Sequence, residues 1–136
     1  MARRIAPGTG TLLLDSDGLS RAAANDERTA AFIKQAMLER GRVVIPAVTL
    51  TEVLRGGARD AAVHRVLKKM HVVDVNGHLA RAAGEILGQV GGDRTVNAIV
   101  AAVAVAQPGR VVVLTSDPRD LTSLTRGRGD IRIQPL

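Results

Sequence analysis

Three carboxylates that lie far apart in the chain each follow a short apolar run. Asp15 comes directly after residues 11–14, Glu52 follows the run 43–45 within one short helical segment, and Asp117 follows the run 111–114. Short apolar runs bounded by turn-forming residues predict buried strands. In parallel sheets the carboxyl ends of the strands form one edge, so these side chains are expected to meet there. Unpaired carboxylates at such an edge repel one another, and a hard divalent cation with oxygen ligands is their natural occupant.

A second pair of polar residues is expected at the same edge. The apolar helix predicted over residues 93–107 precedes the fourth strand and runs antiparallel to it, which places Asp93 and Asn97 at that edge. Asp93 is predicted to cap this helix, with a role as an extra metal ligand as the alternative. Simpler interpretations exist for two of the carboxylates. Asp117 precedes a proline, and helix capping alone could explain it. Glu52 could be a solvated helix residue. A charge at the end of an apolar strand, as at Asp15, is harder to explain without a function.

The elements that must position these residues alternate regularly. Apolar strands are predicted over residues 11–15, 43–45, 72–75, 111–114 and 131–133, and helices over 17–24, 26–40, 48–55, 58–70, 76–90 and 93–107, with a short helix from Asp117. Strands that alternate with helices predict βαβ units and a parallel sheet covered on both faces. We therefore expect a single three-layer α/β/α domain over residues 11–136, with four to five parallel strands, and a mobile basic tail over residues 1–10.

The composition indicates what this domain binds. The chain has 136 residues, a formal net charge of +6 and only three Lys among its 19 basic residues, which favours a nucleic acid or an acidic protein segment as partner. One Phe with no Tyr or Trp makes recognition by base stacking improbable, and the absence of Cys excludes disulfides and thiol nucleophiles. The most apolar run, residues 98–106, is far shorter than the ~20 residues that span a bilayer, so no membrane association and a cytoplasmic location are expected.

Four short motifs carry a resemblance to a known family. They are Leu13–Asp15, Ile45–Val53, Thr95–Ala102 and Leu114–Leu121. In this order and spacing the chain resembles a PIN domain, the metal-dependent ribonuclease fold of the VapC-type toxins of type II toxin–antitoxin pairs. The resemblance implies Mg²⁺ or Mn²⁺ as cofactor and Asp15, Glu52 and Asp117 as metal-site carboxylates. The family's third acidic position falls on Asn97, which is expected to weaken metal binding and activity.

The resemblance also implies a function and its partners. The chain would be an endoribonuclease toxin in which a metal-activated water cleaves RNA and leaves 5′-phosphate and 3′-hydroxyl ends. A small antitoxin would cover the site, and the toxin would be a homodimer. Ser16, Asp17, Ser116 and Asp120 are expected in the outer shell of the metal site, with Asp120 at the nearby surface, and Ser16 and Asp17 would orient water or the outer shell of the metal. RNA phosphates are expected to contact Arg55, Arg94 and Arg119 near the same edge.

Two other functions were compared with this one. A PIN domain that has lost catalysis and acts only by binding RNA or protein is favoured by Asn97. A receiver-like signalling domain has a similar α/β layout and an acidic pair such as Asp15 and Asp17. It also needs a Lys after a late strand, and no Lys follows Lys69, so this reading is rejected.

Overall fold

Five parallel strands form the centre of the computed structural model, which describes residues 10–136. The strands are β1 Gly10–Leu14, β2 Arg42–Pro46, β3 His71–Val73, β4 Arg110–Thr115 and β5 Ile131–Pro135. The helices are α1 Ser16–Ala23, α2 Glu27–Leu38, α3 Leu50–Val53, α4 Ala61–Leu67, α5 Gly77–Val90, α6 Thr95–Ala106 and α7 Pro118–Thr125. Single 3₁₀ turns over Ala47–Thr49 and Ala58–Asp60 precede α3 and α4.

Helices cover both faces of this sheet. Alternate residues of β1 point in opposite directions, so Leu13 packs in a cluster with α5, α6 and α7, whereas Leu12 and Leu14 pack in a cluster with α1 to α4. The central strands are buried on both faces, which explains their continuous apolar runs. The predicted three-layer α/β/α domain with a parallel sheet is confirmed.

The strand order fixes where a ligand crevice can form. The order is β3-β2-β1-β4-β5, and β1 lies beside β4 in parallel register. The helices that follow β1 cover one face, whereas the helices that lead from β3 to β4 cover the other. The connections therefore diverge between β1 and β4, and the carboxyl ends of these two strands flank the crevice.

Several predicted boundaries change in the structure. Gly10 is the first residue of β1, not part of the tail, and the prediction for residues 1–9 lies outside the described residues. The helix expected over 48–55 is a 3₁₀ turn followed by the short α3, and the helix expected over 58–70 ends at Leu67. Within residues 10–136, no helix combines the length and the apolar character needed to cross a membrane.

Candidate functional site

A polar cavity of about 570 Å³ opens at the carboxyl ends of β1 and β4. It is the crevice that the strand order creates between these neighbouring strands. The residues that line it are Asp15, Ser16, Asp17, Thr49, Glu52, Asp93, Arg94, Thr95, Val96, Asn97, Val100, Ser116 and Asp117. Five acidic residues from four parts of the chain therefore face one space.

Asp15 is the most buried acidic residue of the cavity. Its backbone N–H still donates to Leu114 in β4, but its side chain caps α1 and accepts a hydrogen bond from the Gly18 N–H at 2.9 Å. The other carboxylate oxygen accepts from the Ser116 N–H at 3.2 Å. Burial raises the pKa of Asp15, and these backbone hydrogen bonds only partly oppose that effect. Asp15 is thus the N-cap of α1 and not the last residue of the strand, with its oxygens fixed at the cavity floor.

The end of β4 connects the acidic residues to one another. The Ser116 hydroxyl donates to Asp17, while the Ser116 N–H donates to Asp15. The fully buried Thr115 side chain hydrogen-bonds to Asp15, and its hydroxyl oxygen accepts from the Asp117 N–H at 2.9 Å. Sequence reasoning missed Thr115, although a buried hydroxyl one position before the predicted site was a usable signal. These contacts fix the relative positions of the residues that follow β1 and β4.

Glu52 reaches the cavity from a different element. It lies on α3, which begins after the 3₁₀ turn that Pro46 starts and that the Thr49 hydroxyl stabilises by donating to the Pro46 carbonyl at 2.7 Å. The helix ends at Val53 because the backbone of Leu54 is extended, and the Arg55 guanidinium donates to helix carbonyls that include that of Glu52. Glu52 itself is exposed. It therefore presents a solvated carboxylate across the cavity from the buried Asp15.

The loop after α3 is held by a buried carboxylate. Asp60 accepts hydrogen bonds from the backbone N–H groups of Arg55 at 2.9 Å and Gly56 at 2.7 Å. These hydrogen bonds, led by that from Gly56, lower the pKa of Asp60. Gly56 has φ +86°, a left-handed conformation that suits glycine. Asp60 thus holds the backbone of Arg55 and Gly56, which follow α3 and lie three and four residues after Glu52.

Asp117 has partners that a helix cap would not have. It occupies the N-cap position of α7, but its side chain makes no capping hydrogen bond. Its Oδ2 accepts from the Arg94 guanidinium and from the Asn97 amide at 2.9 Å. The same Asn97 nitrogen donates to Asp120 at 2.7 Å, and Arg94 Nε lies 4.0 Å from Asp120. The interpretation of Asp117 as only a helix cap is therefore wrong.

The start of α6 also differs from its prediction. The helix begins at Thr95, and Arg94 occupies the N-cap position without a side-chain capping bond. Asp93 was expected to cap this helix, but only its backbone oxygen takes part, as the acceptor for the Thr95 N–H at 2.9 Å. The pair of glycines before it, Gly91 and Gly92, has φ of +89° and +95° and turns the chain from α5 towards the cavity. Asp93 is exposed at the cavity rim.

The structure brings most, though not all, of the predicted site residues to the cavity. Asp15, Glu52, Asn97, Asp117 and Asp93 line it, together with Ser16, Asp17, Ser116 and Arg94. Asp120 lies behind Asn97 and not on the lining. Arg119 is exposed outside the lining, and the Arg55 guanidinium is bound to carbonyls of its own helix. Of the three predicted phosphate contacts, Arg94 is the one at the cavity.

The acidic residues in and next to the cavity differ in whether a positive side chain pairs with them. Within residues 10–136, Asp15, Asp17 and Glu52 have no Lys, Arg or His ion-pair partner, whereas Asp117 and Asp120 share Arg94. In the same part of the chain, no three His, Cys, Asp or Glu side chains are arranged to hold a metal ion as they stand. The donors around the cavity are mainly carboxylate and hydroxyl oxygens, which is the chemistry of a hard cation.

Comparisons with known proteins agree with this architecture. A family model described as the PIN domain matches residues 12–125. Among solved structures, a chain of VapBC2 from Rickettsia felis, bound to a promoter DNA fragment, matches with TM-score 0.71 and 12% identity over 93% of this chain and 98% of that chain. VapBC-1 from nontypeable Haemophilus influenzae matches with TM-score 0.65 and 15% identity, over 92% and 97% of the two chains. A toxin–antitoxin complex from Klebsiella pneumoniae matches with TM-score 0.62 and 17% identity, over 88% of this chain and 94% of that chain. No curated protein matches significantly.

Proposed function

Because the chain belongs to the PIN domain family, we propose that it is a metal-dependent endoribonuclease and the toxin of a type II toxin–antitoxin pair. The observation that carries the proposal is the convergence of Asp15, Glu52 and Asp117 on one cavity between β1 and β4. These residues are separated by as many as 102 positions in sequence, and neither helix capping nor core packing requires them to meet. In an open parallel sheet this edge is where ligands bind.

The residues of the cavity suit a divalent cation. Asp15 is a buried carboxylate whose pKa is raised by burial, and a neighbouring cation would favour its charged form. Asp15, Glu52 and Asp117 would hold Mg²⁺ or Mn²⁺, with Asp93 at the rim and with Asn97 contributing at most a neutral oxygen. When bound, such an ion lowers the pKa of a water molecule and stabilises charge on a phosphate.

The chain's own residues supply positioning and phosphate binding. The Ser116 N–H fixes the Asp15 carboxylate, and the Thr115 hydroxyl fixes the backbone of Asp117. Ser16 and Asp17, at the start of α1, lie where they would orient water. Arg94 provides a guanidinium for the RNA backbone at the cavity, and the net charge of +6 attracts that backbone from a distance. With no Tyr or Trp in the chain, RNA would be recognised mainly through its phosphates and its shape.

A second function, RNA or protein binding without catalysis, is supported by Asn97. Its amide nitrogen donates to both Asp117 and Asp120, so it occupies acceptor positions on carboxylate oxygens that would otherwise be open to a metal. A carboxylate at this position would add a negative charge, whereas the amide adds none. On this alternative the cavity is an RNA-binding surface that does not hydrolyse RNA.

The proposed partners follow from the same family. The matched structures are described as VapBC and toxin–antitoxin complexes, and this supports a cognate antitoxin as partner of this chain. We propose that this antitoxin covers the cavity, that the toxin is a homodimer and that it acts in the cytoplasm. A basic antitoxin segment would be attracted by the acidic residues that line the cavity.

Cleavage of a labelled single-stranded RNA tests the proposal. The unchanged chain should cleave slowly with Mn²⁺ and not with EDTA, Asn97→Asp should cleave faster, and the products should carry 5′-phosphates. Glu52→Gln in the Asn97→Asp background should abolish cleavage. Glu39→Gln, a matched change of an exposed carboxylate outside the cavity, should leave it unchanged. Cleavage that persists in EDTA would contradict the proposal, and RNA binding with no cleavage by any variant would favour the second function.

A further inference from the structure

Arg94 is the positive side chain beside two of the acidic residues at the cavity, Asp117 and Asp120. Its guanidinium forms an ion pair with Asp117 and its Nε lies 4.0 Å from Asp120. The Asn97 amide donates to the same two carboxylates from the next turn of chain. Both oxyanions therefore receive positive charge or N–H donors from the segment that begins α6. One positive charge and a neutral amide donor from the chain itself thus compensate part of the negative charge of these two carboxylates.

The other half has hydrogen-bond donors at Asp15 but, within residues 10–136, no positive side chain paired with it. Asp15 and Glu52 face the same cavity, and within residues 10–136 neither forms an ion pair. A divalent cation that enters from solvent thus meets two carboxylates without an ion pair on one side and the ion-paired Asp117 on the other. To use Asp117 as a ligand, the cation must compete with the Arg94 guanidinium for the carboxylate oxygen. The guanidinium also repels the cation, because both are positively charged.

We propose that Arg94 is a tethered counter-ion of Asp117 and Asp120, which a divalent cation must displace before it can use Asp117. This inference rests on the metal site of the proposed function. Displacement is feasible because the Arg94 side chain is 58% exposed and precedes α6 without capping it. An exposed pair of this kind is weak, equivalent to about a 1.4- to 5-fold change in an equilibrium constant.

The displaced guanidinium would remain at the cavity. Arg94 is fixed by its backbone at the start of α6, where its carbonyl accepts the Ala98 N–H at 3.0 Å. Once released from Asp117, its planar donors would be available for a phosphate of the RNA. Arg94 would then act as a counter-ion in the metal-free protein and as a phosphate-binding residue in the loaded one, and metal loading would control its availability.

Calorimetric titration of Mn²⁺ into the full chain, without RNA, tests this role. Arg94→Ala should bind Mn²⁺ about 3- to 10-fold more tightly, since it removes both a competitor and a repelling charge. Arg65→Ala, which removes one exposed positive charge on α4, is the matched control and should stay within about twofold of the unchanged chain. In an Asp117→Asn background, Arg94→Ala should lose most of its effect. In EDTA, Arg94→Ala should also melt at a lower temperature, and Mn²⁺ should restore more stability to it than to the unchanged chain.

The outcomes separate this inference from the proposed function. Equal or weaker Mn²⁺ binding by Arg94→Ala, in a protein whose cavity binds Mn²⁺ and cleaves RNA, would overturn the role of Arg94 alone. An effect that survives fully in the Asp117→Asn background would also overturn it, because the competition would not be for Asp117. Failure of every variant to bind Mn²⁺ would overturn the metal site and the inference together.

Discussion

Replacing Asn97 by aspartate puts a negatively charged carboxylate at a position of the cavity lining where a neutral amide now donates hydrogen bonds. The Asn97 nitrogen donates to Asp117 at 2.9 Å and to Asp120 at 2.7 Å, and Asn97→Asp puts an oxygen in its place. Two hydrogen bonds to carboxylates are lost, and two repulsions between like charges replace them. The metal-free protein should therefore be less stable, and the site should bind a divalent cation more tightly.

The size of the effect can be worked from these separations. Two unit charges about 3 Å apart repel by about 5 kcal/mol at an effective dielectric of 20. The side chains of Asp117 and Asp120 are 34% and 26% exposed, so solvent screening and rotation of the new carboxylate reduce this figure strongly. Arg94 offsets part of the remainder. We expect a net loss of about 2–3 kcal/mol, which lowers the melting temperature by about 6–10 °C in a domain of this size.

Thermal melting at pH 7 measures this loss in EDTA and its recovery in Mn²⁺. Asn97→Asp should melt at the lower temperature in EDTA and should gain more from Mn²⁺ than the unchanged chain. Asn76→Asp is the matched control: Asn76 caps α5 through its oxygen, which accepts the Leu79 N–H at 2.9 Å, and aspartate keeps that acceptor. If Asn97→Asp leaves both the melting temperature in EDTA and the Mn²⁺ response unchanged, the reasoning about this position is refuted.

Three further outcomes are expected. Asp60→Ala should lower the melting temperature at pH 7, and the difference from the unchanged chain should shrink below about pH 4. The reason is that the pKa of Asp60 is lowered in the folded chain, so the stabilisation by Asp60 is lost as the pH falls through that pKa. A difference that grows in acid would contradict this. Leu13→Ala, at a fully buried position of β1, should cost about 2–5 kcal/mol in urea unfolding, and a loss below 1 kcal/mol would contradict the core assignment. Binding of single-stranded RNA should weaken steeply between about 50 and 200 mM salt in a fluorescence anisotropy titration, whereas affinity that does not depend on salt would show that the basic charge has another role.

The sequence predicted the sheet because the strands are buried on both faces. Such strands appear as unbroken apolar runs, and β1, β2 and β4 were recognised from them. Two helix starts with a side-chain cap were predicted correctly, at Asp26, which accepts the Thr29 N–H at 2.9 Å, and at Asn76. The start of α1 was predicted at Asp17, although Asp15 caps this helix. The prediction failed at α6, where Asp93 has the right residue type but Arg94 occupies the cap position without a capping bond.

The pairing of charges within the site could not be predicted from the sequence. Proximity of Asp15, Glu52 and Asp117 follows from the rule that strand ends share an edge, and the structure places all three on one cavity. Which cation or donor faces which carboxylate depends on side-chain directions that periodicity does not specify. Arg94 was therefore expected to contact only RNA, whereas it pairs with Asp117. The hydrogen bonds that join the buried Thr115 to Asp15 and to the Asp117 N–H were not predicted, for the same reason.

The most direct test of the metal site is where Mn²⁺ binds on the folded chain. In a ¹⁵N–¹H spectrum, a substoichiometric amount of Mn²⁺ broadens the amide signals nearest to it. The signals of Ser16, Asp17, Asn97 and Ser116, all on the cavity, should broaden first, and excess Mg²⁺ should reverse this broadening. Broadening centred on acidic residues away from the cavity, such as Asp74 or Asp130, or no selective broadening at all, would contradict a metal site formed by Asp15, Glu52 and Asp117.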